Sequence, residues 1–282
     1  VSLASDVLHF AVIGHPIAHS RSPVIHAAFA RQLGLSIEYR RIDATPARLK
    51  DEVAAFFAAG GTGMNVTLPH KAAALGLCAR IASRARQAGA VNTLSSTPSG
   101  VAGDNTDGVG LVRDLERIGA AAGRRLSYQH AVILGTGGAA RGVIAGLLDA
   151  GVASLSVLGR DFDKTTALVH HFATHDLKPL ASVSAAQRCD VLINATSAGL
   201  AKTSPAVGLD LASRAWLAYD LSYAPVPGEE TPFLAECRLR GSERRSDGLG
   251  MLIEQAAESF YLWHGVRPDV VPVLDRLREH AQ

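Results

Sequence analysis

Short apolar runs alternate with longer amphipathic stretches along nearly the whole chain. The run at residues 9–14 predicts a buried strand. Ser22 and Pro23 then read as N-cap and first helical residue of a helix to about Leu33. Residues 38–43 predict a second strand. Thr45-Pro46 opens a helix to about Ala58, which Gly60-Gly61 stop. Residues 63–67 predict a third strand, with Pro69 opening the next helix. Residues 91–95 and 101–104 read as a hairpin around Pro98-Ser99-Gly100, and Asp107 starts a helix to about Ile118. In the second half, strands are expected at 129–134, 154–158, 190–195 and 216–221, and helices at 139–150, 163–172 and 231–240. Two helical patterns, 250–264 and 269–280, close the chain with no strand between them. This alternation is that of doubly wound α/β sheets.

The chain has 282 residues, 48% of them hydrophobic, enough for two domains that each bury a core. Its formal charge is +2 with 19% charged residues, and the absence of a basic run excludes a nucleic-acid footprint. No apolar stretch is long enough to span a bilayer, and residues 1–10 lack a secretory pattern. Cys78, Cys189 and Cys237 are scattered and odd in number, the usage expected of reduced thiols in a cytoplasmic protein. His171 and His175 lie at a helical metal-pair spacing, but no third ligand is near in sequence, so no metal is expected.

The most specific local signal lies in mid-chain. Residues 131–134 read as a strand, Gly135-Thr136-Gly137-Gly138 as a tight turn, and Ala139-Ala140-Arg141 as the start of a helix. Gly135, Gly137 and Ala140 fit the G-x-G-x-x-G/A pattern, in which small residues bring backbone close to a pyrophosphate at a helix N-terminus. The next strand ends at Leu158-Gly159-Arg160. The position that holds an acid in NAD sites is Gly159, and Arg160 with Lys164 reads as a clamp for a 2′-phosphate. Asp161 reads as the cap of the following helix.

Three polar clusters follow the N-terminal strands, where open α/β sheets bind ligands. In residues 14–23, Ser20 and Ser22 could hold a carboxylate beside a helix N-terminus, or serve only as a turn and a cap. In residues 65–71, Lys71 falls just inside the expected helix N-terminus, where the dipole disfavours a cation. Residues 89–93 and 103–108 bring Asn92 and Asp107, which could be turn and cap residues or ligands.

Together these clusters resemble the shikimate dehydrogenase family. The resemblance runs from about Val12 to Pro272. It is carried by Ser20-x-Ser22, Asn65-Val66-Thr67-x-Pro69-x-Lys71, residues 89–93, Asp104-Asn105-Thr106-Asp107-Gly108, Gly135-x-Gly137-Gly138-Ala139, Asn194-Ala195-Thr196-Ser197 and residues 246–252 with Gln255-Ala256. It implies two α/β domains: a substrate domain, residues 1–106 and 248–282, and a Rossmann-type NADP domain, residues 107–247. The C-terminal helices would return to the substrate domain. The implied reaction is NADPH-dependent reduction of 3-dehydroshikimate to shikimate by a monomer or homodimer. Lys71 and Asp107 would be catalytic. Ser20 and Ser22 would bind the substrate carboxylate. Asn65, Thr67, Lys71, Asn92, Asp107, Tyr223 and Gln255 would complete the substrate site. Gly135, Thr136, Gly137, Gly138, Ala139, Arg160, Lys164, Thr196, Ser197, Leu221, Gly248 and Met251 would hold NADP(H).

Two departures stand out. The clamp reads Gly159-Arg160-Asp161, with Lys164 where the family commonly has Arg, which bears on NADP selectivity. The segment 223–232 is longer than the family's usual connection. A shikimate/quinate dehydrogenase using NAD or both cofactors is the nearest alternative. A silent nucleotide-binding relative is the rival from another class, but both Lys71 and Asp107 are present.

Overall fold

The computed structural model describes residues 7–172, 177–196, 198, 203–205, 207–224, 226 and 228–279. The chain divides into two compact units. One runs up to Thr106 and takes in Ile253–Asp275; the other comprises Asp107–Leu252 and the segment from Arg276.

In the first unit, β1 (Leu8–Gly14), α1 (Ser22–Gln32), β2 (Ile37–Asp43), α2 (Leu49–Ala58) and β3 (Gly63–Val66) follow the expected order. Then come β4 (Arg80–Ile81), α3 (Ser83–Ala88) and the hairpin of β5 (Thr93–Thr97) and β6 (Gly100–Asp104). The sheet order is β2-β1-β3-β5-β6-β4. β2, β1 and β3 run parallel, and β5 pairs antiparallel with both β3 and β6. Ala11, Ile13, Met64, Val66, Val53, Phe56, Val91 and Leu94 fill the core on one side.

In the second unit, α4 (Asp107–Ala120) leads to β7 (His130–Leu134), α5 (Gly138–Asp149), β8 (Ser154–Leu158), α6 (Phe162–His171) and β9 (Leu177–Leu180). β10 (Val191–Asn194), β11 (Leu217–Asp220), α7 (Pro232–Leu239) and β12 (Arg245–Ser246) complete a fully parallel sheet of order β12-β11-β10-β7-β8-β9. Its central strands are mostly apolar, as both faces are covered: Ile133, Val143, Val157 and Ile193 lie in one core, and Val132, Leu134, Leu192 and Phe233 in the other. The chain order reverses between β7 and β10, the switch point at which such sheets bind ligands. α8 (Leu249–His264) and α9 (Val271–Glu279) each begin in one unit and end in the other.

Three expectations need correction, and four short elements go unforeseen. Pro69 does not open a helix. It lies in a turn closed by the His70 N–H on the Thr67 carbonyl (2.9 Å), and the next helical residues form only a 3₁₀ turn, Ala73–Leu77. Ser22 is the first residue of α1, not its cap; the cap position is Arg21. Thr45-Pro46 opens a 3₁₀ turn, Pro46–Arg48, before α2. The short β4, α3, β9 and β12 are unforeseen, because two to six residues carry no readable period. Asp161 is the N-cap of α6 as expected, accepting from the Lys164 N–H at 3.1 Å.

Candidate functional site

In the first unit the loop after β1 meets the loop after β3. Gly14 packs where a Cβ would stand 2.5 Å from the Thr67 methyl, and the His15 N–H donates to the Leu68 carbonyl at 3.0 Å. The chain then reaches Ser20 and Ser22. Ser20 Oγ accepts from the Ser22 N–H (3.3 Å) and donates to Ser22 Oγ (3.2 Å). Ser22 is buried, and its hydroxyl also meets the Tyr39 hydroxyl.

Tyr39 links this loop to a buried amide network. Its hydroxyl donates to Asn65 Oδ1 at 2.7 Å. Asn65 Nδ2 faces the Asn92 carbonyl, Thr93 Oγ1 and Ser259 Oγ at 3.0–3.3 Å. Asn92 Nδ2 donates to Thr106 Oγ1 (2.9 Å) and Gln255 Oε1 (3.2 Å), while its Oδ1 accepts from the Thr106 N–H (2.8 Å). The strands β3 and β5 and helix α8 thus converge on one hydrogen-bonded cluster. Four expected residues, Ser20, Ser22, Asn65 and Asn92, are joined in it, with Gln255 at its α8 end. Arg84 anchors α8 beside it, forking onto Asp104 (2.6 and 3.0 Å) and reaching Glu258 (3.0 Å).

Behind Tyr39 lies a buried ring stack. His26 stacks on Tyr39 with centroids 4.5 Å apart, and Phe260 and Trp263 close the other sides. Burial lowers the His26 pKa to about 3, against the opposing pull of Asn65, so the imidazole is neutral. Burial holds the Tyr39 phenol well above its ordinary value, so it remains a donor.

Thr67 and Lys71 share the loop after β3. The buried His70 pins it, with Nε2 2.7 Å from the Ala44 carbonyl, and the Lys71 carbonyl accepts from the Val91 N–H at 2.8 Å. Lys71 is half-buried. Since no α-helix begins at Pro69, the expected dipole penalty on its ammonium has no source here. Asp107, in the second unit, is the first residue of α4 and is 5% exposed. Close approach of α4 to α5 seats it: a Cβ on Gly108 would lie 2.8 Å from the Gly142 carbonyl.

The cofactor signals fall at the carboxyl ends of β7, β8, β10 and β11. Gly135 has φ +105°, a conformation that glycine adopts at little cost, and its Cβ position is closed by Thr196 and Ala195. Gly137 is the N-cap of α5 and offers no side chain to its first N–H groups. A Cβ on Gly137 or Gly138 would meet no described atom within 4 Å. A bare helix N-terminus under open space fits a pyrophosphate. At Gly159 a Cβ would stand 2.5 Å from Thr165 Oγ1 and 3.0 Å from the Thr136 methyl, so the site has no room for the acid of an NAD-type ribose contact. Arg160 and Lys164 are exposed beside it, and Lys164 Nζ lies 3.7 Å from Asp161 Oδ2.

Thr196 is held by Asn194 Oδ1, which accepts from its N–H (3.1 Å) and hydroxyl (2.7 Å). Asn194 in turn donates to Asp220 Oδ1 (3.0 Å), which also accepts from the Ser222 N–H (3.1 Å), while Thr231 Oγ1 donates to Asp220 Oδ2 (2.6 Å). Burial raises the Asp220 pKa to about 6 despite these donors. Leu221 and Gly248 are brought together: the Gly248 N–H donates to the Ser222 carbonyl (2.9 Å), and a Cβ on Gly248 would overlap the Leu221 carbonyl. Met251 is buried in the core of this unit, and Tyr223 is half-buried after β11. Ser197 and His175 lie outside the described residues, as do Pro225 and Pro227 of the long segment after Tyr223. Among the described residues no group of three or more His, Cys, Asp or Glu is placed to hold a metal ion, and no helix is long and apolar enough to cross a membrane.

Sequence reading misses Tyr39, Ser259 and Arg41, which donates to the Ser20 carbonyl, in the first unit, and Asp220 and Thr231 in the second; Thr93, Thr106 and Asn194 figure there only as motif members without a role. Two signals could have found some of them. Ser259 follows Gln255 by four on a helix, and Tyr39 and Arg41 alternate along a strand.

Comparison with known proteins covers most of the chain. Residues 12–94 match the shikimate dehydrogenase substrate binding domain, residues 118–204 the shikimate / quinate 5-dehydrogenase family, and residues 248–278 the shikimate 5'-dehydrogenase C-terminal domain. A shikimate dehydrogenase (NADP(+)) of Aromatoleum aromaticum is 50% identical over 274 residues, covering 95% of this chain and 96% of its own. A crystal structure of shikimate 5-dehydrogenase from Thermus thermophilus, in complex with NADP(H) and shikimate, superposes with a TM-score of 0.84 at 33% identity; the match covers 98% of this chain and 100% of that one. An Ael1 enzyme from Pseudomonas putida gives a TM-score of 0.87 at 38% identity, over 96% of this chain and 98% of its own.

Proposed function

The chain belongs to the shikimate dehydrogenase family, and from that premise we propose how its own residues carry out the NADPH-dependent, reversible reduction of 3-dehydroshikimate to shikimate. It is an NADP-dependent oxidoreductase of the route to aromatic amino acids. The observation that carries the residue assignment is the buried network joining Ser20, Ser22, Asn65, Asn92 and Gln255 in one unit. Such a row of hydroxyls and amides suits a small polyhydroxylated acid.

Ser20 and Ser22 take the carboxylate. Thr67, Asn92, Asp107 and Gln255 take the ring hydroxyls, Tyr223 sits near the substrate, and Asn65 holds the network together from within. NADPH, when bound, supplies the hydride that reduces the ketone carbon. The Lys71 ammonium stabilises the negative charge that builds on the ketone oxygen and delivers the proton. In the reverse direction the Lys71 amine takes the hydroxyl proton. Asp107 accepts a hydrogen bond from the substrate hydroxyl and keeps it in line.

Gly135, Thr136, Gly137, Gly138 and Ala139 form the pyrophosphate cradle, and Arg160 and Lys164 hold the 2′-phosphate. Thr196, Ser197, Leu221 and Gly248 would complete the cofactor site, and Met251 would pack by the nicotinamide. The two catalytic and cofactor-bearing regions correspond to a substrate domain of residues 1–106 and 248–282 and a dinucleotide domain of residues 107–247. The enzyme works in the cytoplasm as a monomer or homodimer.

The test is a four-way comparison of kcat/KM for shikimate and quinate with NADP+ and NAD+. Shikimate with NADP+ is expected to exceed the other three pairs by at least about tenfold, the scale of one charged hydrogen bond. Comparable turnover of quinate with NAD+ would move the chain to the dual-specificity alternative.

A further inference from the structure

Tyr223 lies outside any strand or helix, between β11, which ends at Asp220, and α7, which begins at Pro232. Nothing regular fixes its backbone, so other bonds must. Each peptide unit is planar, and a residue moves only through the two dihedrals between its flanking planes. Holding both planes therefore holds the residue between them.

Three consecutive planes are held here. Asp220 Oδ1 accepts from the Ser222 N–H at 3.1 Å, which holds the plane before Ser222. The Ser222 carbonyl accepts from the Gly248 N–H at 2.9 Å, which holds the plane before Tyr223. The Ala224 N–H donates to the Asp247 carboxylate, which holds the plane after Tyr223. The neighbours Asp247 and Gly248 thus grip Tyr223 from both sides, one through its side chain and one through its backbone. Gly248 comes this close only because it lacks a side chain, since a Cβ would stand 2.2 Å from the Leu221 carbonyl oxygen.

The long segment after Tyr223 is anchored at its far end as well. Thr231 Oγ1 donates to Asp220 Oδ2 at 2.6 Å, and Glu230 accepts from Arg238 (3.0 Å) and Arg245 (2.9 Å). Asp247 has a second bond. Its Oδ1 accepts from the Leu249 N–H at 3.3 Å, where α8 starts. A carboxylate has acceptor sites enough for both N–H groups. One side chain therefore serves the backbone of Tyr223 and the first turn of α8, which carries Met251.

We propose that Asp247 is a positioning residue for Tyr223: with Gly248 it fixes the two peptide planes around Tyr223, and so sets where the phenol meets the substrate in register with the start of α8. This rests on the assignment of Tyr223 to the substrate site given above.

The test is a double-mutant cycle in the full-length enzyme. D247S keeps the short turn to the Leu249 N–H, because a serine hydroxyl can bond two residues on, but its shorter side chain does not span to Ala224. D247T is a second variant of the same chemistry. KM for shikimate and the Kd of NADPH, read from its fluorescence, are measured with Tyr223 and in a Y223F background. A cooperative thermal transition shows that each variant is folded. Y223F and D247S should each raise KM for shikimate about fivefold, the scale of one hydrogen bond. Added to Y223F, D247S should raise it less than about twofold, because both act through one contact. NADPH binding should stay within about twofold. An equal rise in both backgrounds would make Asp247 independent of Tyr223 and overturn the proposal, as would an unchanged KM. NADPH binding weakened as much as KM would leave Asp247 a support of α8 only, and overturn it too. Y223F with an unchanged KM would remove Tyr223 from the substrate site, and this proposal with it. Wild-type enzyme that fails to oxidise shikimate with NADP+ would overturn the functional reading itself.

Discussion

Replacing His26 by Phe should make the enzyme more resistant to acid. His26 is 1% exposed, and burial takes its pKa from 6.5 to about 3. Between those values the unfolded chain binds a proton that the folded chain refuses. Stability therefore rises with pH across the window, is fully present above about 6.5, and is lost as pH falls towards 3. The full shift corresponds to roughly 5 kcal/mol at 1.36 kcal/mol per pH unit, a large part of the stability of an ordinary domain. Half-buried His264, also lowered by burial, adds a slope of the same sign. Phe keeps the flat ring that stacks on Tyr39 and removes the titration. Trp263 reports the event locally, since its ring lies 5.3 Å from His26. Urea unfolding would be followed by fluorescence in a Trp216→Phe background, from pH 8 to pH 4.5. His26→Phe should cut the loss between about pH 6.5 and 4.5 by ~2–3 kcal/mol relative to the parent. Parallel pH profiles for parent and variant would refute a neutral buried His26.

Lys71→Ala should lower kcat by about 10²–10⁴-fold with a smaller change in KM; steady-state kinetics showing an unchanged kcat would remove Lys71 from proton transfer. Arg160→Ala should weaken NADPH by roughly 10–100-fold and NADH far less, measured as KM for each, and equal losses would exclude a 2′-phosphate contact. Gly159→Ala should cost about 1–3 kcal/mol of stability by overpacking against Thr165, and less when added to Thr165→Ala; additive losses by thermal unfolding would contradict the crowding seen there.

Much of the fold is legible because long periodic helices and apolar parallel strands announce themselves. The fingerprint at Gly135 needs only three small residues and a strand before them. Asp161 is readable as a cap because its partner, the Lys164 N–H, is three residues away. Pro69 shows the limit of local rules. Proline favours the first turn of a helix and also favours tight turns, and the chain after it supports only one 3₁₀ turn. Thr67 and Lys71 are visible in a motif, but the helix dipole expected at Lys71 is not what the backbone builds. Tyr39 and Arg41 show in the sequence only as alternate residues of a strand, because their partners, Asn65 in one case and the Ser20 carbonyl in the other, lie 26 and 21 residues away. Asn194 and Asp220 stand at strand ends 26 residues apart, and only the parallel register makes them neighbours.

The reach of those pairings sets an order of events during synthesis. The Asn65–Ser259 bond spans 194 residues, and the Asn92–Gln255 bond spans 163. At about 5–20 residues per second on the ribosome, Asn65 waits on the order of 10–40 s for its partner. The strands around it can pair meanwhile, but the polar cluster cannot close. The second unit is made almost without interruption during that delay. The nucleotide half of the enzyme is thus ready while the substrate half still holds open, with unmet amides, the place that α8 will fill.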